Sequence, residues 1–407
     1  MLLKQLIDIV QNKINYSRNQ TIELIYETLN SLPNEFSKDR LERTFEQEEP
    51  LTIVKEMQEL QLIQLKYHYQ CKNDDDTYTS KTLHAICDIC ENDIHDLNHE
   101  VNTIYSIKKT LYSQMLEECT NLLLDKYLKE FSNFGIESLK EQKQFIIPFY
   151  GAGLSIPLGF PSWGKMLADL GVHLAGPMRP AYESYIDGGD YLKALEYLKD
   201  YSMLNTESII TGEIIKNFKK KPTKDAFTNP NNYLDLVKLA SEFYVTTNYD
   251  NVLTTLITKL RTLTLPYTLN DLEDIQTLFR ENEHRVIHLH GNIQKPSTMI
   301  VTKERYEKLY DNDAILKKLT PIMGNKSFLF LGFSFQDEFF TDLFQKITTD
   351  IGGTHFIVLP NITMKQAQTY SHKNLRVIAV DVKTDENGYF DNEDYAQAIR
   401  SVLRVLY

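Results

Sequence analysis

The sequence predicts an α/β protein in two parts: an all-helical N-terminal domain over residues 1–140, then a parallel sheet with flanking helices over residues 141–407. Three observations carry this reading. Of 16 glycines, Gly135 is the only one before residue 141, so turns, bulges and phosphate loops, which need glycine, belong to the second part. Residues 1–140 hold 15 Lys+Arg against 24 Asp+Glu and so carry −9 of the chain's −12 net charge. From Phe145 onward, short apolar runs alternate with amphipathic stretches, the pattern of strands joined by crossover helices.

In the first part, Leu3, Leu6, Ile7, Val10 and Ile14 follow helical spacing, and Ile53, Met57, Leu60 and Leu65 continue it. Polar breaks at residues 31–34, 46–50 and 72–80 divide these stretches, and a bundle of four or more helices is the simplest architecture. All four cysteines, Cys71, Cys87, Cys90 and Cys119, lie here. The stretch LHAICDICENDIHDL (residues 83–97) has no glycine and reads as a continuous amphipathic helix, so its cysteines are expected to be free and buried, with no metal site assigned. The other reading is zinc held by His84, Cys87, Cys90, His95 and His99, whose spacing places several ligands on one helix face.

In the second part, FIIPFYGAG (residues 145–153) predicts a buried strand entering a glycine loop, and further strands are expected at residues 243–247, 286–289, 327–331, 355–359 and 375–380. Helices are expected over 251–263 and 314–323, and a small helical insertion over 176–232. The basic run NFKKKPTK within that insertion reads as a solvated face.

Several function classes drop out on composition. No run reaches the roughly 18 apolar residues of a membrane span, and Lys4 and Asp8 interrupt the N-terminal apolar stretch, against a signal peptide. Few cysteines without paired spacing suggest a reducing compartment, and the expected location is cytoplasmic. An acidic chain without a basic stripe is not expected to bind nucleic acid directly.

Polar clusters stand at the ends of the predicted strands. Gly151, Ala152, Gly153 and Ser155, followed by Gly159, Pro161 and Trp163, form a loop whose backbone N–H groups suit a pyrophosphate, or else a structural turn. The dinucleotide fingerprint of dehydrogenases would need glycine at Ile156, and there is no GxxxxGK[ST] phosphate loop. Thr247, Asn248 and Asp250 follow the second strand, His288, His290 and Gly291 the third, and Gly332, Ser334 and Asp337 the fourth. In a parallel sheet these converge on one cleft at the carboxyl ends of the strands. Asn248 and Asp250 also suit capping of the helix that begins near Asn251, Trp163 suits a core position or a wall of the site, and the His288/His290 pair lacks the further ligands a metal needs.

The motifs GAGLSIPLGFPSW, TTNYD, HLHG and FLGFSFQDEFF, in this order and spacing, resemble the sirtuin-like NAD⁺-hydrolysing domain of bacterial antiphage defence proteins, over Phe145 to Tyr407. The resemblance implies a Rossmann-like fold with NAD⁺ as substrate. It implies Asn248 and His290 as the catalytic pair and Asp250 as the group recognising the nicotinamide carboxamide. Gly332, Ser334 and Asp337 would bind the adenosine ribose or a phosphate. The protein-deacylase sirtuins carry a four-cysteine zinc ribbon between the HG and GxS motifs. No cysteine follows Cys119 here, so no zinc ribbon is expected and NAD⁺ cleavage by water is favoured over deacylation.

By the same resemblance the chain is expected to be an NAD⁺ glycohydrolase acting in abortive infection by NAD⁺ depletion. It is expected to form homo-oligomers and to be controlled by a protein partner, either a HerA-type DNA-translocating ATPase or a nucleotide-sensing subunit. The alternatives are an NAD-dependent deacylase or ADP-ribosyltransferase, and a noncatalytic sensor of NAD⁺ or ADP-ribose.

Overall fold

The computed structural model describes residues 2–219, 221–273, 284–310, 314–333, 344, 347, 353–371, 374–386 and 388–407. The chain forms two compact units, Met1–Lys126 and Tyr127–Tyr407. The division falls ahead of the expected boundary at residue 140, because helix Asn133–Glu141 packs on the last strand of the second unit and Lys129 donates its backbone N–H to Ala379 O.

The first unit is helical but not all-helical. Helices Leu2–Ile14 and Glu48–Glu59 bury the apolar faces expected of them around Leu6 and Ile53, and helices Arg18–Ser31 and Lys109–Asp125 pack on the same core through Ile25 and Met115. Beside them lies a four-stranded antiparallel sheet of β1 (Glu35–Ser37), β2 (Gln64–Cys71), β3 (Thr77–Ser80) and β4 (His99–Ser106), in the order β1-β4-β2-β3. Leu65 therefore belongs to a strand, not to the helical series ending at Leu60. Along β2, Tyr67, Tyr69 and Cys71 are buried and their neighbours are not, the period-two pattern of a half-covered sheet.

The expected helix over residues 83–97 is absent. The chain there reverses direction: Cys87 donates its N–H to Asn92 O, Ile94 to Ala85 O, and Ile86 bridges Asp93. Glu91 sits at φ 57°, and the carboxylates of Asp93 and Asp96 accept from the backbone N–H groups of His95 and Leu97. Asp side chains that satisfy the local backbone in this way compete with the helical ladder, and they win here because Ile86 and Ile89 find no core to bury against.

The second unit is built on a seven-stranded parallel sheet with helices around it. Its strands are β5 (Ile146–Tyr150), β6 (Phe243–Thr246), β7 (Pro266–Thr268), β8 (Arg285–His288), β9 (Ser327–Leu331), β10 (His355–Pro360) and β11 (Leu375–Val380), in the order β11-β10-β9-β5-β6-β8-β7. β5, β6, β8 and β9 are buried along their whole length, as strands covered on both faces should be, and β8 carries the buried polar residues Arg285 and His288 at its two ends. From β5 the chain lays β6, then the edge strand β7, then β8 between those two on one side, and returns to lay β9, β10 and β11 on the other. The carboxyl ends of β5 and β9 thus flank a topological switch point, where open α/β sheets bind ligands. Three helices, Arg179–Asp187, Tyr191–Tyr201 and Glu207–Phe218, occupy the expected insertion.

Candidate active site

A cavity of about 290 Å³ opens at this switch point. Ala152, Gly153 and Ser155 from the loop after β5, Asn248 and Asp250 from the loop after β6, and His290 from the turn after β8 all line it. Thr247, Pro161, Trp163 and Gly332 do so as well. Gly151 supports the cleft from behind, its carbonyl accepting from Asn248 Nδ2 at 3.2 Å. Ser334 and Asp337 lie outside the described residues.

The loops meet backbone to backbone. Gly153 donates its N–H to Gly332 O at 3.0 Å, and a Cβ on Gly153 would stand 2.8 Å from both Cα and O of Gly332. Close approach of two strand-end loops is therefore what requires glycine here.

A buried polar network joins the β5 and β6 ends, with Ser155 at its centre. Its hydroxyl donates to Asp250 Oδ2 at 2.8 Å and accepts from Asn248 Nδ2 at 2.8 Å, and it stands 2.6 Å from Tyr233 Oη. Asp250 Oδ1 accepts from the Val252 N–H at 3.1 Å, so this carboxylate also caps helix Val252–Leu260. Burial pushes the Asp250 carboxyl above its ordinary range, against the hydrogen bonds from Ser155 and Val252 that favour the charged form. Burial, with the Asp250 charge behind it, holds the Tyr233 phenol protonated as a donor. Tyr233 opens helix Tyr233–Leu239, outside every motif, and only the fold brings it to the site.

Asn248 spends both amide hydrogens on Gly151 O and Ser155 Oγ, so the group it can present to a ligand is its carbonyl oxygen, an acceptor. Its main chain is fixed too: its N–H donates to Thr246 Oγ1 at 3.0 Å, and its carbonyl lies 2.8 Å from His288 Nδ1. The other ring nitrogen of His288 is 3.1 Å from Asn292 Nδ2, which can only donate. This pair of contacts defines a neutral imidazole protonated at Nδ1. His288 is fully buried and burial lowers its pKa to about 4, so it positions the Asn248 backbone and does not reach the cavity.

His290 does reach the cavity. Its ring meets Tyr306 edge-on at 5.1 Å, and burial lowers its pKa to about 3, so it stands as a neutral proton acceptor. Its backbone carbonyl accepts from the Ile300 N–H at 2.9 Å, and the next residue, Gly291, turns the chain at φ 83°. Trp163, the only tryptophan, opens helix Trp163–Leu170 behind the Ser162 cap and packs near Tyr249 and Tyr306 on the cavity wall. Sequence reading does not single out the aromatic wall of Tyr249, Tyr306 and Phe333: Tyr249 and Phe333 stand inside motifs whose polar residues carry the signal, and Tyr306 stands outside every motif.

The fold and this cleft define the class as far as a Rossmann-like parallel α/β unit with a cleft at its switch point, and residues 242–378 are similar to the family model described as the SIR2-like domain. The curated relatives are more particular. The chain is 27% identical over 253 residues to the NAD(+) hydrolase ThsA of Enterococcus faecium, covering 61% of this chain and 46% of that protein. It is 26% identical over 219 residues to the protein of that name from Bacillus cereus (strain MSX-D12), covering 53% and 41%. It is 30% identical over 229 residues to that from Acinetobacter baumannii (strain 532279), covering 55% and 41%. The matched stretch spans less than half the length of these relatives.

Proposed function

We propose that the cleft hydrolyses NAD⁺ to nicotinamide and ADP-ribose. The observation that carries the proposal is the convergence of Asn248 and His290, from two separate strand ends, on one cavity at the switch point of a SIR2-like sheet. The curated relatives named NAD(+) hydrolase support it.

In the reaction the bond between nicotinamide nitrogen and ribose C1′ breaks, its electron pair leaves with nicotinamide, and a water oxygen bonds to C1′. The transition state is oxocarbenium-like, so the protein's tasks are to orient the ribose, hold the departing ring and accept one proton. The Asn248 carbonyl oxygen would accept from a ribose hydroxyl or from the attacking water. His290, neutral before substrate arrives, would take the proton. A dinucleotide's negative phosphates would favour the protonated ring and so raise its affinity for that proton when the site is filled. Asp250 would recognise the nicotinamide carboxamide at the cavity edge while its oxygens hold Ser155 and the helix start.

The remaining expectations belong to the same proposal: NAD⁺ depletion as an antiphage response in the cytoplasm, homo-oligomerisation, and control by a protein partner such as a DNA-translocating ATPase or a nucleotide-sensing subunit. No helix among the described residues is long and apolar enough to cross a membrane. Nicotinamide release from NAD⁺ by the full chain, with and without such partners, tests the proposal. His290→Ala and Asn248→Ala should each lower the rate by about 10²–10⁴-fold with the melting temperature retained. Equal rates in the wild type and both variants would place the chemistry elsewhere.

A further inference from the structure

The reversal that replaces the expected helix brings three thiols and an imidazole together. Cys71 ends β2 and is the cross-strand partner of His99, which begins β4. Cys87 and Cys90 come from the turn between β3 and β4. One ligand atom from each of the four lies within 4.8 Å of all the others. A tetrahedron with Zn–S bonds of about 2.3 Å has edges of about 3.8 Å, so a small contraction of this cluster produces it.

Details of the turn agree. Backbone N–H groups of Ile89 and Cys90 face the Cys87 sulfur, Ile89 N at 3.4 Å, and the N–H of Asn73 faces the Cys71 sulfur. Backbone donors aimed at sulfur are the outer contacts that orient metal-binding cysteines. His99 turns Nε2 toward the thiols, 3.3 Å from Cys90 Sγ, and its Nδ1 is buried without a hydrogen-bond partner among the described residues, so the ring is held in place by no polar contact on its far side. Cys71 and Cys87 are 1% and 0% exposed, and among the described residues no carboxylate joins the cluster.

The surroundings supply the reason for a metal. Between β3 and β4, residues 81–98 form no helix or strand, and Leu83, Ile86, Ile89 and Leu97 stay exposed. The local core consists of Tyr67, Tyr69, Ile94 and the two buried cysteines, too small to order an 18-residue excursion by apolar burial.

We infer that Cys71, Cys87, Cys90 and His99 form a structural Zn²⁺ site that staples the 81–98 excursion to the antiparallel sheet of the first unit. Three thiolates and one imidazole suit a closed tetrahedral zinc site, and thiol protons leave to solvent as the metal binds, with no change of oxidation state. The site is separate in sequence and in unit from the SIR2-like cleft, and it stands whether or not the chain cleaves NAD⁺.

Metal analysis of the full chain, purified under reducing conditions, incubated with zinc and desalted, tests this. The expected content is about one Zn²⁺ per chain, falling below about a tenth in Cys87→Ser/Cys90→Ser and unchanged in Cys119→Ser, whose thiol lies in helix Lys109–Asp125. Should the double variant fail to fold, cobalt substitution of the wild type gives a second reading, through the absorption bands of a tetrahedral thiolate complex. His99→Cys should keep the metal and His99→Ala should release it more readily to a chelator. Wild-type protein without zinc or the cobalt spectrum overturns the inference. So does a Cys87–Cys90 disulfide in freshly purified protein that takes up no zinc once reduced, and so does zinc content indifferent to the double variant.

Discussion

The Ser155 hydroxyl donates to Asp250 and accepts from Asn248, so its loss would leave a buried carboxylate oxygen and a buried amide hydrogen without partners. Ser155→Ala should therefore lower stability by about 1–3 kcal/mol for each orphaned group and disturb Asn248, read as a lower denaturant midpoint together with slower NAD⁺ cleavage. Asp250→Asn keeps an acceptor for Val252 and removes the charge that burial disfavours. It should retain or raise the melting temperature while weakening turnover, separating recognition from folding. The two histidines set a pH dependence. Both are held neutral, with pKa values lowered from 6.5 to about 4 for His288 and about 3 for His290, so the unfolded chain binds more protons than the folded one below pH 6.5. Their contribution is complete above about pH 6.5 and is lost as pH falls toward their folded values, by about 3 kcal/mol for His288 alone. Unfolding midpoints across pH 4–7 should fall on acidification, and more shallowly in His288→Gln.

At the scale of elements, the parallel sheet was legible and the antiparallel one was not. β5, β6, β8, β9, β10 and β11 stand within about two residues of the predicted runs, because fully buried strands concentrate apolar and β-branched residues into short blocks. β7 has three residues, too few for periodicity to register. β2 carried its signal openly as alternating Leu65, Tyr67, Tyr69 and Cys71, but Leu65 also continued the helical spacing from Leu60, and half-polar strands are easily absorbed into helices. The placing of Asn248 and His290 on one cavity was legible because each lies two residues past the end of a buried apolar strand, whereas their catalytic roles remain part of the proposal. Tyr233 and the positioning role of His288 were not, since they depend on packing between distant segments. The turn after β8 yields a further prediction: a Cβ on Gly291 would lie 2.2 Å from Thr298 O at φ 83°. Gly291→Ala should cost about 1–3 kcal/mol from backbone conformation alone and displace His290, so stability and turnover fall together.

At the scale of the whole molecule, two units with separate cores share one chain. Residues Tyr127–Tyr407 contain the complete sheet and every residue assigned to the cleft, so this unit expressed alone should fold and bind NAD⁺ with an affinity near that of the full chain, measured by calorimetry. The central claim is that the cleft transfers ADP-ribosyl to water, and the most direct measurement follows the oxygen. NAD⁺ incubated with the activated full chain in ¹⁸O-water should give nicotinamide and an equal amount of ADP-ribose carrying one ¹⁸O atom, and neither product should form with His290→Ala. Intact NAD⁺ under every activating condition would contradict the account, as would nicotinamide released only with an acyl-lysine peptide or with ADP-ribose left on protein.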